Sequence, residues 1–209
     1  MMRLDSVSAQ PDRLGRYLVH FSDDSSMRLY RQTVEDFRLY TGRELTDEEF
    51  EQLRVAAGRM SAKMRAVRIV SATSVSKRDL EQRLVSKGED PEQAREAVQW
   101  MAELDLVDDR KMAEQVVQRC ISKGYGLSRA KQALYEKRIP KQYWSEVLED
   151  YPDQSEYILT FLRSRLETED QERGLRKAVD ALMRRGHSYS EIRRCLEQLR
   201  LDVDDFREE

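Results

Sequence analysis

The sequence is poor in the residues that punctuate β-rich folds. With 8 glycines and 4 prolines in 209 residues, a turn-rich sandwich or barrel is disfavoured. Its two cysteines, Cys120 and Cys195, fall in helical patterns. They read as small buried apolar side chains rather than as a disulfide or metal pair. The two histidines, His20 and His187, have no Cys or Glu at metal-ligand spacing. There is no glycine-rich phosphate loop followed by Lys-Ser/Thr and no nucleophile-elbow serine. Carboxylates abound, mostly at capping and surface positions, so pairing two as acid and base is arbitrary. The expectation is a protein with no catalytic residues, metal or cofactor. No run approaches the roughly 18 apolar residues of a membrane span, and Met1-Met2-Arg3-Leu4-Asp5 lacks the apolar stretch of a signal peptide. A cytoplasmic protein with no membrane partner is expected. A formal net charge of −3 excludes a polycation, so nucleic-acid binding has to be argued from local patches.

Charge of both signs is plentiful. Charged residues make up 37% of the chain and apolar residues 39%, a balance that suits short amphipathic helices with wide solvated faces and thin cores. The N-terminal part reads differently. Gly15–Phe21 is rich in β-formers, Met27–Tyr30 alternates, and Ser22–Ser26 is a polar turn cluster, which predicts a β-hairpin over about 13–31. Thr33–Tyr40 reads as a short helix with Val34, Phe37 and Leu39 inward. Thr46 and Glu49 form a capping box that opens a helix carrying Phe50, Leu53 and Ala57 on one stripe.

Beyond residue 60 the chain repeats. Leu84-Val85-Ser86-Lys87-Gly88, Leu134-Tyr135-Glu136-Lys137-Arg138 and Leu182-Met183-Arg184-Arg185-Gly186 are three copies of a helix ending in a basic turn, spaced by about 50 residues. Leu80, Ala130 and Ala178 precede the leucines by one helical turn. Ala94, Trp144 and Ile192, then Val98, Leu148 and Leu196, follow on one face of the next helix. Asp90-Pro91 and the Ser188–Glu191 box cap two of these following helices, and Ile139-Pro140 marks the same boundary less well. Ala66–Val70, Val116–Cys120 and Ile158–Leu162 supply first helices. The predicted fold is mostly α: three tandem three-helix repeats in an elongated curved array, preceded by a small N-terminal β-hairpin and short helices. The predicted divisions are an arm at 1–61, repeats at 62–108, 109–152 and 153–201, and an acidic tail at 202–209. Trp100 and Trp144 are expected as core anchors.

One segment stands out electrostatically. Residues 119–141 hold Arg119, Lys123, Arg129, Lys131, Lys137, Arg138 and Lys141 against one acid, Glu136, with Tyr125 and Tyr135 interleaved. Gly124-Tyr125-Gly126 is expected to be a turn with exposed backbone N–H groups, and Tyr125 the aromatic at a contact. Such a segment suits phosphates or an acidic protein face. An ordinary solvated helix face, neutralised across a turn, explains it equally well. In the third repeat Arg184, Arg185, Arg193 and Arg194 have Asp180, Glu191 and Glu197 at ion-pair spacing.

In their order and spacing, three stretches resemble the RecX regulators of the RecA recombinase: Ser76–Leu80 leading to Leu84…Lys87-Gly88, Leu104–Ala113, and Ser122–Arg129 leading to Leu134…Ile139. The resemblance covers about residues 62–200, and the hairpin at 13–31 is similar to one found in some members. Met112 stands where the family commonly has an aromatic, and Arg138 where it often has glycine. A monomer is expected, and the resemblance implies that it binds the RecA filament on single-stranded DNA, in the filament's helical groove. It further implies inhibition of ATP hydrolysis and strand exchange, and so modulation of recombination and DNA repair. It also favours the basic segment as a partner surface: Arg119, Lys123, Tyr125, Arg129, Lys131, Lys137, Arg138 and Lys141. The rival is a free-standing DNA-binding helical protein using the same patch, and a third class is a generic helical adaptor. Weak direct DNA binding is compatible with the first two.

Overall fold

The computed structural model describes the backbone of residues 1–166 and 171–205 and the side chains of 1–164 and 173–199. Two compact units divide the chain, Met1–Val107 and Asp108–Glu209.

The first unit opens with an antiparallel sheet in the order β3-β2-β1-β4, where β1 is Met2–Val7, β2 Arg16–Phe21, β3 Ser26–Tyr30 and β4 Glu44–Leu45. The predicted hairpin is β2–β3, and two further strands join it. A register shift between Leu4 and Ser6 breaks the alternation of β1, which removes the period-two signal that marks a strand in sequence. Leu4, Val19, Phe21, Leu29 and Leu45 turn inward onto Leu53 of a long helix, and Phe21 meets Phe50 edge-on at 5.1 Å. Helix α1 is shorter than the expected 33–40, running Arg31–Asp36. Arg38 adopts a left-handed conformation (φ 47°) and ends the helix early, while Leu39 is buried and Val34 and Phe37 pack against the core.

Helix α2, Asp47–Ala72, begins with the predicted capping box. Glu49 N–H donates to Thr46 Oγ1 at 3.1 Å, and Thr46 N–H donates to Glu49 at 2.8 Å. It runs unbroken across residues 61 and 62, so one helix serves two cores: Leu53 faces the sheet, while Ala62 and Ala66 face α3, Lys77–Ser86, and α4, Pro91–Glu103. Alanines on both α2 and α4 (Ala62, Ala66, Ala94, Ala97) are fully buried and let the two helices approach closely.

In the second unit α5, Asp109–Ser122, α6, Leu127–Glu136, and α7, Trp144–Glu149, enclose Ala113, Val117, Leu134 and Ile139. A short 3-10 turn, Lys141–Tyr143, precedes α7. Helices α8, Ser155–Leu166, α9, Gln171–Arg184, and α10, Tyr189–Asp205, enclose Ile158, Leu162, Leu182 and Ile192. Trp100 and Trp144 are half-buried against their cores. The side chains of the predicted acidic tail, 202–209, lie outside the described residues.

Leu84, Leu134 and Leu182 are all fully buried, and their helices end identically. A left-handed residue follows each helix, Gly88 (φ 89°), Arg138 (φ 55°) or Gly186 (φ 87°). The next N–H then returns to the leucine carbonyl: Glu89 to Leu84 at 3.1 Å, Ile139 to Leu134 at 3.1 Å, His187 to Leu182 at 3.2 Å. This is the Schellman turn, in which the residue after the left-handed one normally packs as a hydrophobe. Ile139 does so. Glu89 and His187 are buried polar substitutes, and each reaches another element. Glu89 accepts from Arg65 at 2.5 Å and Ser61 at 3.0 Å on α2, and His187 bonds the turn after α5.

Candidate functional site

Helices α5 and α6 bring much of the basic segment to one place. Val116, Cys120 and Lys123 follow one stripe of α5 near its C-terminal end, with Arg119 beside them. On α6, Arg129, Ala133 and Lys137 recur at four-residue steps and therefore share a face. Together with Tyr125 and Glu136 these residues line a recess of about 180 Å³. Its walls are cationic and its floor, Val116, Cys120 and Ala133, is apolar.

Arg129 donates to Glu136 at 2.9 Å. This bond, ahead of the coulombic attraction of the same carboxylate, raises the guanidinium's pKa above its ordinary value. The pair is half-exposed, so it contributes little stability, on the order of 0–1 kcal/mol. Burial pushes the Cys120 thiol up, against the pull of Arg129, Lys123 and Arg119, which makes it an inert wall rather than a nucleophile.

Of the residues singled out from sequence, Arg119, Lys123, Tyr125, Arg129 and Lys137 line this recess. Lys131, Arg138 and Lys141 are exposed elsewhere. The exposed aromatic is Tyr135, at 72%, whereas Tyr125 is half-buried. Sequence reasoning missed Val116, Cys120 and Ala133 as lining residues. Their helical spacing, three and seven residues from Lys123 and four from Lys137, was the available signal.

The glycine turn differs from expectation. Gly124 and Gly126 are buried, and their neighbourhood is fastened to the turn after α9. Gly126 N–H donates to Arg185 O at 2.9 Å and Ser128 N–H to Gly186 O at 3.3 Å. His187 Nε2 bonds Gly124 O at 2.9 Å. Tyr151 donates its hydroxyl to Tyr125 O at 2.6 Å, and burial pushes that phenol up to about 12. The N–H groups predicted to meet a partner are therefore spent inside the unit: carbonyls at the end of α9 cap the start of α6, a favourable head-to-tail meeting of helix dipoles. The His187 ring stacks on Tyr157 with centroids 6.0 Å apart, and Arg185 lies over Tyr157 and Phe161.

In the third predicted repeat Arg193 pairs with Glu197 at 2.9 Å and Arg194 with Asp153 at 3.6 Å, consistent with structural use. A larger cleft in the first unit, about 450 Å³, is lined by residues including Met27, Arg54, Ser61, Glu89 and Gln93. Its buried acid, Glu89, is already engaged by Arg65 and Ser61, so it braces α2 against the α3–α4 turn. Among the described residues, no cluster of His, Cys, Asp and Glu could hold a metal ion, and no helix is long and apolar enough to cross a membrane.

No family model matches the chain. Among curated proteins, regulatory protein RecX of Clostridioides difficile strain 630 is 24% identical over 210 residues, covering 98% of this chain and 97% of that protein. Regulatory protein RecX of Listeria welshimeri is 22% identical over 156 residues, covering 74% of this chain but 58% of that protein. Among solved structures, a crystal structure of regulatory protein RecX matches with a TM-score of 0.64 at 20% identity, over 94% of this chain and 100% of that one. At that identity the structural likeness is one of fold.

Proposed function

We propose that this chain, a member of the RecX family, is a regulator of RecA. In this reading it binds the RecA filament on single-stranded DNA, in the filament's helical groove, and inhibits ATP hydrolysis and strand exchange. It does so as a cytoplasmic monomer and not as an enzyme. The observation that carries the reading is the convergence of Arg119, Lys123, Arg129 and Lys137 on one recess of the α5–α6 face. Four cations against the single acid Glu136, next in sequence to the exposed Tyr135, have the charge and aromatic content of a partner-binding surface.

The division into three-helix repeats, 62–108, 109–152 and 153–201, is part of the proposal. Its support is the turn that recurs after Leu84, Leu134 and Leu182 with the same two backbone hydrogen bonds. Repeated units suit a partner that is itself a repeating polymer, because equivalent surfaces can meet equivalent subunits.

Direct DNA binding is the second reading. Lys131, Arg138, Lys141 and Tyr135 lie outside the recess on exposed surface, where phosphates and stacked bases are accessible. Fluorescence anisotropy on labelled single-stranded DNA, bare or coated with RecA and ATP, separates the two. Filament regulation predicts tighter binding to the coated DNA with a shallow salt dependence. Tight binding to bare DNA that collapses with added salt would favour the second reading.

A further inference from the structure

We infer that the recess between α5 and α6 is a socket for an acidic side chain of a protein partner, with Glu136 as its resident competitor. The inference rests on the reading of this face as the partner-binding surface and names the chemistry that fills it. At about 180 Å³ the recess is smaller than the roughly 300 Å³ at which pockets for drug-sized ligands begin. It has room for one extended side chain and not for a nucleotide. Val116 and Ala133 offer an apolar floor to methylene groups, while Arg119, Lys123, Arg129 and Lys137 ring it with positive charge. An apolar stem ending in a carboxylate matches that distribution. A phosphodiester, flanked by sugars and lacking such a stem, does not.

The site already holds such a group. Glu136 reaches back two helical turns to Arg129 at 2.9 Å. Both members are partly solvated, at 33% and 48% exposure, so the pair is weak and exchangeable. An incoming carboxylate can replace Glu136 on the same guanidinium, leaving the displaced carboxylate to solvent. Glu136 thereby sets the affinity of the socket, and neutralising it should strengthen binding through Arg129 specifically.

The test uses the full chain with fluorescein-labelled oligoglutamate and an oligothymidylate of equal net charge. Glu136→Gln is compared with Glu149→Gln, the same charge change at an exposed residue of α7 that does not line the recess. Circular dichroism verifies that each variant is folded. The expected result is that Glu136→Gln tightens oligoglutamate binding about three- to fivefold, the scale of a partly exposed ion pair released from competition. Glu149→Gln should move it less than about twofold, and Arg129→Ala should abolish the gain. The inference is overturned if the two glutamine variants behave alike, if oligothymidylate gains as much as the peptide, or if the gain survives without Arg129. RecA-filament binding by the wild-type chain is measured in parallel. Failure there with the peptide result intact removes the filament reading and keeps the socket, and the converse pattern removes the socket alone.

Discussion

Gly126→Ala should strongly destabilise the second unit. Gly126 has φ −76°, which alanine adopts freely, so no backbone strain is involved. The added Cβ would lie 2.1 Å from Gly186 O, 2.3 Å from Gly186 C and 2.5 Å from His187 N. All three are main-chain atoms that no rotamer change can move. Ordinary contact needs about 3.5 Å, so the two turns must part by about 1.4 Å at the closest point. The bonds from Gly126 N–H to Arg185 O and from Ser128 N–H to Gly186 O, at 2.9 and 3.3 Å, are then lost. The His187–Gly124 bond at 2.9 Å goes with them. At about 1 kcal/mol each, the loss is about 3 kcal/mol before any penalty for buried groups left unpaired. Gly88→Ala is the control. Its φ of +89° is unfavourable for alanine, yet nothing lies within 4 Å of the added Cβ, so it should cost about 1 kcal/mol. Urea unfolding followed by circular dichroism and tryptophan fluorescence measures both. If Gly126→Ala costs no more than Gly88→Ala, the docking of the two turns is refuted.

Arg138 occupies a left-handed position with φ 55°, where glycine is at ease. Arg138→Gly should therefore stabilise the chain by about 0.5–1 kcal/mol, the strain relieved less glycine's added chain entropy. A lower urea midpoint would contradict this. His187 is 3% exposed, and burial lowers its pKa, with Arg185 adding to the effect and Gly124 O and Glu191 opposing it. The fold thus prefers the neutral ring, and the unfolded chain takes up the extra proton. Stability is full above the ordinary histidine value of about 6.5 and declines as pH falls below it. His187→Gln, which keeps a donor towards Gly124 O but cannot titrate, should flatten that decline in urea midpoints measured from pH 7.5 to 5. An unchanged slope would acquit His187. Arg129→Ala with Lys131→Ala should raise the concentration needed to inhibit RecA filaments by about tenfold without loss of helicity. Wild-type inhibition by the double variant would discard this surface.

What sequence could reveal was local and periodic. The leucine, basic-turn and cap positions repeat, and a capping box or a buried stripe is written within a few residues. Hence Leu84, Leu134 and Leu182 could be assigned to the core and Thr46 and Ser188 to caps. The hairpin at β2–β3 was readable for the same reason. Strand β1 was not, because its bulge erases alternation, and β4 has only two residues. Within the basic segment, charge was legible but direction was not. Helix spacing sends Arg129 and Lys137 to the recess and turns Lys131 away, while the glycine turn is consumed by a neighbour about 60 residues further on, a long-range pairing that carries no short-range signature. Glu89 and His187 were illegible as buried residues because each replaces a hydrophobe with a polar side chain whose partner lies on a distant element.

Filament regulation is tested most directly by ATP hydrolysis by RecA assembled on single-stranded DNA, with this protein added below stoichiometry. Filament regulation predicts a steep loss of hydrolysis, weakened by Arg129→Ala with Lys131→Ala. Unchanged hydrolysis, alongside tight and salt-sensitive binding to bare DNA, would contradict it.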